Sequence, residues 1–156
     1  MTILQALKKI KHLDRKIKKN KERVARWCSY FSDEEPMYDA EGIKKLLQSA
    51  NDLINERNVL RHRIHRTNIM VTAEFQGKAI SLDELIILRT LTIPSMLDAL
   101  GTMRRKEKNY RHDKEIKVVM QYDPSERDKL IDNLEYTMDV LDALLDDMNI
   151  KTELVE

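Results

Sequence analysis

The stretch TILQALKKIKHLDRKIKKNKERVARWCSY (Thr2–Tyr30) decides the fold. Ile3, Ile10, Ile17 and Val24 fall seven residues apart, and Ala6, Leu13, Asn20 and Trp27 form a second row of the same repeat. Two apolar rows at this spacing lie on one side of a helix and make a seam for a partner helix. Asn20 is the one break, and an amide in a seam fixes register because a shifted partner leaves it unsatisfied. Between Lys8 and Arg26 the same helix carries ten basic residues against Asp14 and Glu22, a net of +8.

Ser32–Tyr38 (SDEEPMY) reads as a loop, and Asp39 as the cap of a second helix from Ala40 to about Asn68. Leu46, Ala50, Leu53, Arg57, Leu60 and Ile64 give its seam, widened by Ile43, Leu47 and Ile54. A widened stripe implies burial on more than one side, as in a bundle. The short polar connection makes an antiparallel hairpin the expected arrangement.

Beyond this hairpin the period changes. Val71, Ala73 and Phe75 alternate with Thr72 and Glu74, which predicts a strand over Ile69–Phe75, followed by a turn at Gln76-Gly77-Lys78. Ser81 and Glu84 form a capping box for a third helix, Leu82 to about Lys108, with a kink or break near Ile93 imposed by Pro94. Asn109–Lys114 reads as a polar connection. Glu115–Tyr122 reads as a strand, and the expected pairing is with Ile69–Phe75. Asp123-Pro124-Ser125-Glu126 starts a fourth helix, which runs to about Asn149. Leu130, Leu134, Thr137, Leu141, Leu144 and Met148 form its seam, flanked by Ile131, Met138 and Leu145. Ile150–Glu156 is a tail, or a short strand if something pairs with it.

The expected fold is therefore mainly α: a long helical hairpin or bundle with heptad seams and a small two-stranded β-ribbon. The chain, 1–156, reads as a single elongated helical domain. Its parts are an N-terminal hairpin (1–68), a β-ribbon with a kinked helix (69–122) and an acidic C-terminal helix and tail (123–156).

Charge points to function. From Asp123 to Glu156 there are eleven acids against Arg127, Lys129 and Lys151, a net of −8, while the whole chain carries only +1. Opposed charge over matching seams implies that basic and acidic helices meet, within one chain or between copies. Aromatic residues make up only 5% of the chain, too few for a base-stacking platform. One cysteine, Cys28, excludes an internal disulfide and a thiolate zinc site, and its neighbour Trp27 suggests a packed side chain. Ile3–Leu7 is too short for the apolar region of a signal peptide, and no uncharged run reaches membrane-spanning length. The expected location is cytoplasmic, or a virion if the chain is phage-encoded.

The expected function is non-enzymatic: self-association through the seam residues Ile3, Ile10, Leu13, Ile17, Asn20, Val24, Trp27, Leu46, Leu53, Arg57, Leu60, Leu134, Leu141 and Leu144. Arg61, His62, His65 and Arg66 form a candidate anion-binding cluster. His62 and His65 have metal-ligand spacing, but the surrounding arginines oppose a cation. No catalytic, metal or cofactor set stands out, and no glycine-rich phosphate loop is present. The expected partners are further copies of the chain and, in a particle, other virion proteins. Two alternatives are a nucleic-acid-associated protein using the first helix and Arg57–Arg66, and a membrane-active protein using its amphipathic helices.

Several segments resemble a septicolysin-like helical family of bacteria and their phages. They are LINERNVLRHRIHRTN (Leu53–Asn68) with its Arg-Ile-x-x-Thr-Asn ending, the turn-to-helix segment from Gly77 to Ser81, NYRHDKEIKVV (Asn109–Val119) and MNIKTEL (Met148–Leu154). The resemblance implies a helical hairpin with an added β element that forms homo-oligomers. It suggests a phage or prophage particle, as a capsid- or tail-associated component. The pore-forming activity in the family's label is not carried over, for want of a long amphipathic insertion hairpin.

Overall fold

Thr2 opens the first helix. Its hydroxyl accepts from the Gln5 amide while the Gln5 side chain accepts from the Thr2 amide, so two N–H groups of the first turn are satisfied. The computed structural model of the protein describes residues 1–103 and 117–155. Helix α1 spans Ile3–Trp27 and α2 spans Ala40–Met70, capped by the Asp39 carboxylate on the Gly42 amide at 2.6 Å. Strands β1 (Thr72–Phe75) and β2 (Lys78–Ser81) follow. Then come α3 (Leu82–Ile87), a π-helical turn (Leu88–Thr92), α4 (Ile93–Gly101) and α5 (Pro124–Lys151). The architecture is mainly α with a small two-stranded sheet, as the sequence predicts.

The chain divides into two compact units. The first holds Met1–Thr72 and Met148–Glu156. Here α1 and α2 form the antiparallel hairpin, and cross-helix pairs run in opposite directions along the two helices: Lys9 with Glu56, Asp14 with Arg57, Asn20 with Ser49. Ile3, Ala6, Ile10, Leu13 and Ile17 of α1 are buried, as are Ala50, Leu60 and Thr67 of α2. Leu46, Leu53 and Ile64 are half-buried along the same α2 stripe. Leu47 departs from expectation: it is 53% exposed and does not widen the seam. Cys28 departs too, standing exposed just past the end of α1 rather than packed.

The second unit holds Ala73–Asp147, with Ala73, Phe75, Leu82, Leu85, Ile93 and Leu141 buried. Its ribbon differs from the expected pairing. β1 pairs with β2 across the two-residue turn Gln76-Gly77, not with Glu115–Tyr122. A hairpin closes the shortest loop available, which makes it the cheaper partner entropically. Lys117–Met120 has no regular structure, and Glu115 and Ile116 lie outside the described residues, as does the connection Asn109–Lys114. Ile69 and Met70, expected in the strand, remain helical.

Both turn residues have positive φ, 51° at Gln76 and 75° at Gly77, the pattern of a type I′ turn that suits hairpin twist. Glycine takes this conformation freely, whereas glutamine does not. Gln76→Asn is therefore expected to stabilise the chain by about 0.5–1 kcal/mol, since asparagine tolerates this region. Gly77→Ala should destabilise by about 1–2 kcal/mol from backbone strain alone, because a Cβ there meets nothing within 4 Å. Urea denaturation of both variants checks the pair of signs.

The Ser81–Glu84 capping box forms as expected. The expected break appears before Pro94 as the π turn, where the Ile93 amide donates to the Leu88 carbonyl. Pro94 has no N–H to continue the α-helical ladder, and a widened turn absorbs the defect. Thr90 and Ser95 hydroxyls donate to the carbonyls of Ile86 and Leu91, both at 2.7 Å. Helix α4 ends at Gly101, short of the expected Lys108, and residues 104–108 lie outside the described part.

Helix α5 starts where the Asp-Pro-Ser-Glu pattern places it, with the Ser125 amide donating to the Asp123 carboxylate at 2.8 Å. Tyr122 and Arg127 both donate to the Met103 carbonyl, joining this start to the end of α4. Of the α5 seam, Leu141 is buried, Leu134 and Leu144 are half-buried, and Leu130 is exposed. Among the described residues no helix is long and apolar enough to cross a membrane.

Candidate functional site

The α1–α2 seam is closed within one chain. Ile3, Ile10, Leu13 and Ile17 are buried, and Val24 and Trp27 are half-buried toward the loop end of the hairpin. Asn20 meets Ser49 across the seam, its amide donating at 3.1 Å, so its polar group is matched at this register. Arg57 donates to the Asp14 carboxylate at 3.0 Å, and Arg61 approaches the other oxygen of the same carboxylate at 3.8 Å. The Arg57 Nε is buried without a partner. An orphaned donor cancels much of what a half-buried pair contributes. Arg57 therefore serves register more than stability.

A second constellation ties the chain ends to α2. Thr2 and Glu153 form an antiparallel bridge, with the Ile3 amide donating to the Thr152 carbonyl at 3.0 Å and the Leu154 amide to the Met1 carbonyl at 2.9 Å. Leu154 is buried. The Val155 amide donates to the Thr67 hydroxyl at 3.0 Å, and that hydroxyl donates to the Arg63 carbonyl at 2.8 Å. Arg63 Nε then donates to the Val155 carbonyl at 3.1 Å. Of the expected tail Ile150–Glu156, Ile150 and Lys151 continue α5, and Glu153 makes a single β-bridge rather than a strand. Its receptors Thr67 and Arg63 were not among the expected site residues. Their signal was the Arg-Ile-x-x-Thr-Asn ending of Leu53–Asn68, which contains both.

Of the candidate anion cluster, Arg61, His62 and His65 line a shallow recess on α2 with Asn58, about 390 Å³ in volume. Arg66 is exposed and lies outside that lining. Arg61 is already engaged by Asp14, which lowers the positive charge left for an anion. Among the described residues no group of three His, Cys, Asp or Glu side chains has an arrangement that could hold a metal.

In the second unit Arg89, on the π turn, makes a two-pronged pair with Asp142 of α5, Nε to Oδ1 at 2.6 Å and a second nitrogen to Oδ2 at 3.0 Å. This hydrogen bonding is the main cause that holds the Asp142 carboxyl below the ordinary value of 3.8; desolvation opposes it, and charge attraction adds to it. The same contact raises Arg89. A depressed carboxyl stabilises the fold above its unfolded pKa, and that contribution is lost as pH falls through the folded one. Asp142→Asn should therefore melt below the parent protein at pH 6, and the gap should close as pH drops below about 4. Thermal melts across that range read the closure directly.

Three comparisons bear on kinship. The chain is similar in structure to a functionally unknown conserved protein from Corynebacterium diphtheriae, known from its crystal structure. The TM-score is 0.72 at 21% identity, with 99% of each chain covered. That likeness establishes the fold. No curated protein matches the chain. Residues 10–154 match the family described as "Family of unknown function (DUF6847)", and over that span the chain belongs to this family.

Proposed function

We propose that this protein is a non-enzymatic structural protein that self-associates, the basic unit of one copy lying against the acidic unit of the next. The observation that carries the reading is the division of charge between the two units. The first holds 17 basic and 11 acidic residues, a net of +6, and the second 11 basic and 16 acidic, a net of −5. Two copies in antiparallel apposition match both units at once, which is the self-complementarity that a two-fold interface requires.

The heptad seam of α1 is occupied by α2, so contact between copies falls to outward faces. On α1 these carry Lys8, Lys11, Arg15 and Lys19, all exposed. On α5 they carry Asp132, Glu135 and Asp139 beside the exposed Tyr136 and Leu130. Single surface ion pairs contribute about 0–1 kcal/mol, so charge selects orientation while apolar side chains supply affinity. The septicolysin-like resemblance suggests a phage or prophage particle as the setting.

Sedimentation velocity at high micromolar protein, in about 0.05 M and about 0.5 M salt, tests this, since the screening length is roughly 10 Å at 0.1 M. A dimer or larger species at low salt that dissociates at high salt is expected. A monodisperse monomer at low salt overturns the proposal. The exposed basic row of α1 also favours a second reading, nucleic-acid association. That reading requires a gel shift whose affinity falls steeply with salt.

A further inference from the structure

The loop joining α1 to α2 exposes more aromatic and thioether surface than its length requires. Tyr30 is 59% exposed, Phe31 75% and Met37 64%. They do not stand as scattered residues. With Trp27, Glu34 and Glu35 they line one pocket of about 410 Å³, to which Ser29 and Arg26 also contribute. A turn in which the Glu34 amide donates to the Phe31 carbonyl at 2.9 Å brings these two lining residues together in the loop. The pocket's size falls within the range of small-ligand sites.

Its chemistry is specific. Aromatic faces carry negative potential and attract cations, and the attraction is felt most by weakly hydrated, alkylated ones. Two carboxylates in the lining add negative charge against the single positive charge of Arg26, leaving the pocket at a net of −1. The pocket already demonstrates the contact it offers: the Arg26 guanidinium sits 4.9 Å from the centroid of the Trp27 ring. A phosphate or carboxylate ligand would meet Glu34 and Glu35, and an uncharged apolar ligand would leave their charges unanswered.

We propose that the tip of the α1–α2 hairpin binds a quaternary ammonium group, held between Trp27, Tyr30, Phe31 and Met37 and neutralised by Glu34 and Glu35. Arg26 occupies one ring face in the absence of ligand and is displaced on binding. The group could arrive as a free small molecule such as choline or as a trimethylated lysine side chain, and both present the same alkylated cation. None of its residues is among those named above for contact between copies, so it holds or fails independently of that reading.

Trp27 is the chain's one tryptophan, so its fluorescence reports on this pocket alone. Titration with choline in buffer of constant ionic strength is expected to change that emission saturably at millimolar concentration, as befits an exposed cation–π site. Its neutral isostere, 3,3-dimethylbutan-1-ol, should give no saturable change. Phe31→Ala and the double variant Glu34→Gln/Glu35→Gln should each weaken choline about five-fold or more, whereas Arg26→Gln should tighten it by removing a competing cation. All the substituted side chains lie at the loop or the helix end, and far-UV circular dichroism verifies that the variants keep the parent helicity. A trimethyllysine peptide that binds tighter than choline identifies a protein side chain as the source, and the reverse order identifies the free cation. No saturable response to either cation overturns the proposal, as does an equal response to the neutral alcohol or unchanged affinity in the carboxylate double variant.

Discussion

Leu13→Ala is expected to lower the unfolding free energy by about 2–5 kcal/mol, the range for removing a fully packed leucine and leaving a cavity. Leu13 is 3% exposed, with Ile10 and Ile17 buried on the same seam and Asp14 beside it pairing with Arg57. The comparison that makes the result informative is Leu47→Ala. Leu47 lies on the partner helix but is 53% exposed, so its loss should cost less than about 0.5 kcal/mol. Urea denaturation should show a lower midpoint for Leu13→Ala with little change in slope. The loss should be the same in dilute and concentrated protein, because α2 of the same chain fills the seam. A loss that grows on dilution would mean that the seam is filled by another copy. A loss below about 1 kcal/mol would mean that the helices pack in a different register.

Thr67→Val should cost about 1–3 kcal/mol, the penalty for leaving a donor without its acceptor in a site closed to water. Valine keeps the shape of threonine but removes the oxygen that receives the Val155 amide and donates to the Arg63 carbonyl. Thr67 is 0% exposed, so water cannot replace it. Thr67→Ser keeps the oxygen and gives up a methyl, at about 1 kcal/mol. Amide exchange separates the two causes. Protection at Val155 should fall selectively in the valine variant and persist in the serine variant. If the valine variant proves as stable as the serine one, the hydroxyl is not what secures the tail.

The residues explain which parts of this fold could be read in advance. Helix α1 was legible to within about three residues at its ends, because its apolar repeat is clean and most intervening positions are polar. The start of α5 was legible from four residues, Asp123 to Glu126, each with a distinct local role. The break before Pro94 was legible because proline lacks a donor whatever surrounds it. The ribbon was legible in kind but not in pairing. Glu115–Tyr122 alternates better than Lys78–Ser81, whose four residues include a helix cap and have no buried face. Pattern alone therefore favoured the wrong partner, and the short loop decided otherwise. Leu47 and Leu130 were misplaced for a related reason: a heptad count says which side of a helix a residue occupies, not how far the neighbouring element reaches along it.

The site residues divide in the same way. Asn20 and Arg57 could be singled out because a polar residue in an apolar row is conspicuous. Their partners Ser49 and Asp14 are ordinary surface types and carry no mark in the sequence. Thr67 and Arg63 lie in the arginine- and histidine-rich end of α2, and contact with Val155, 88 and 92 positions away, gives them a role.

The bridge between Thr2 and Glu153 has a consequence for biosynthesis. Roughly 85 residues separate the end of α2 from Val155, which at about 5–20 residues per second is about 4–17 s of translation. Throughout that interval the nascent hairpin lacks the segment that bonds to Thr67, and the slot for Leu154 stands empty. The unit begun first is thus closed only after the second unit has been translated, and its earliest helices stay open to chaperones until then.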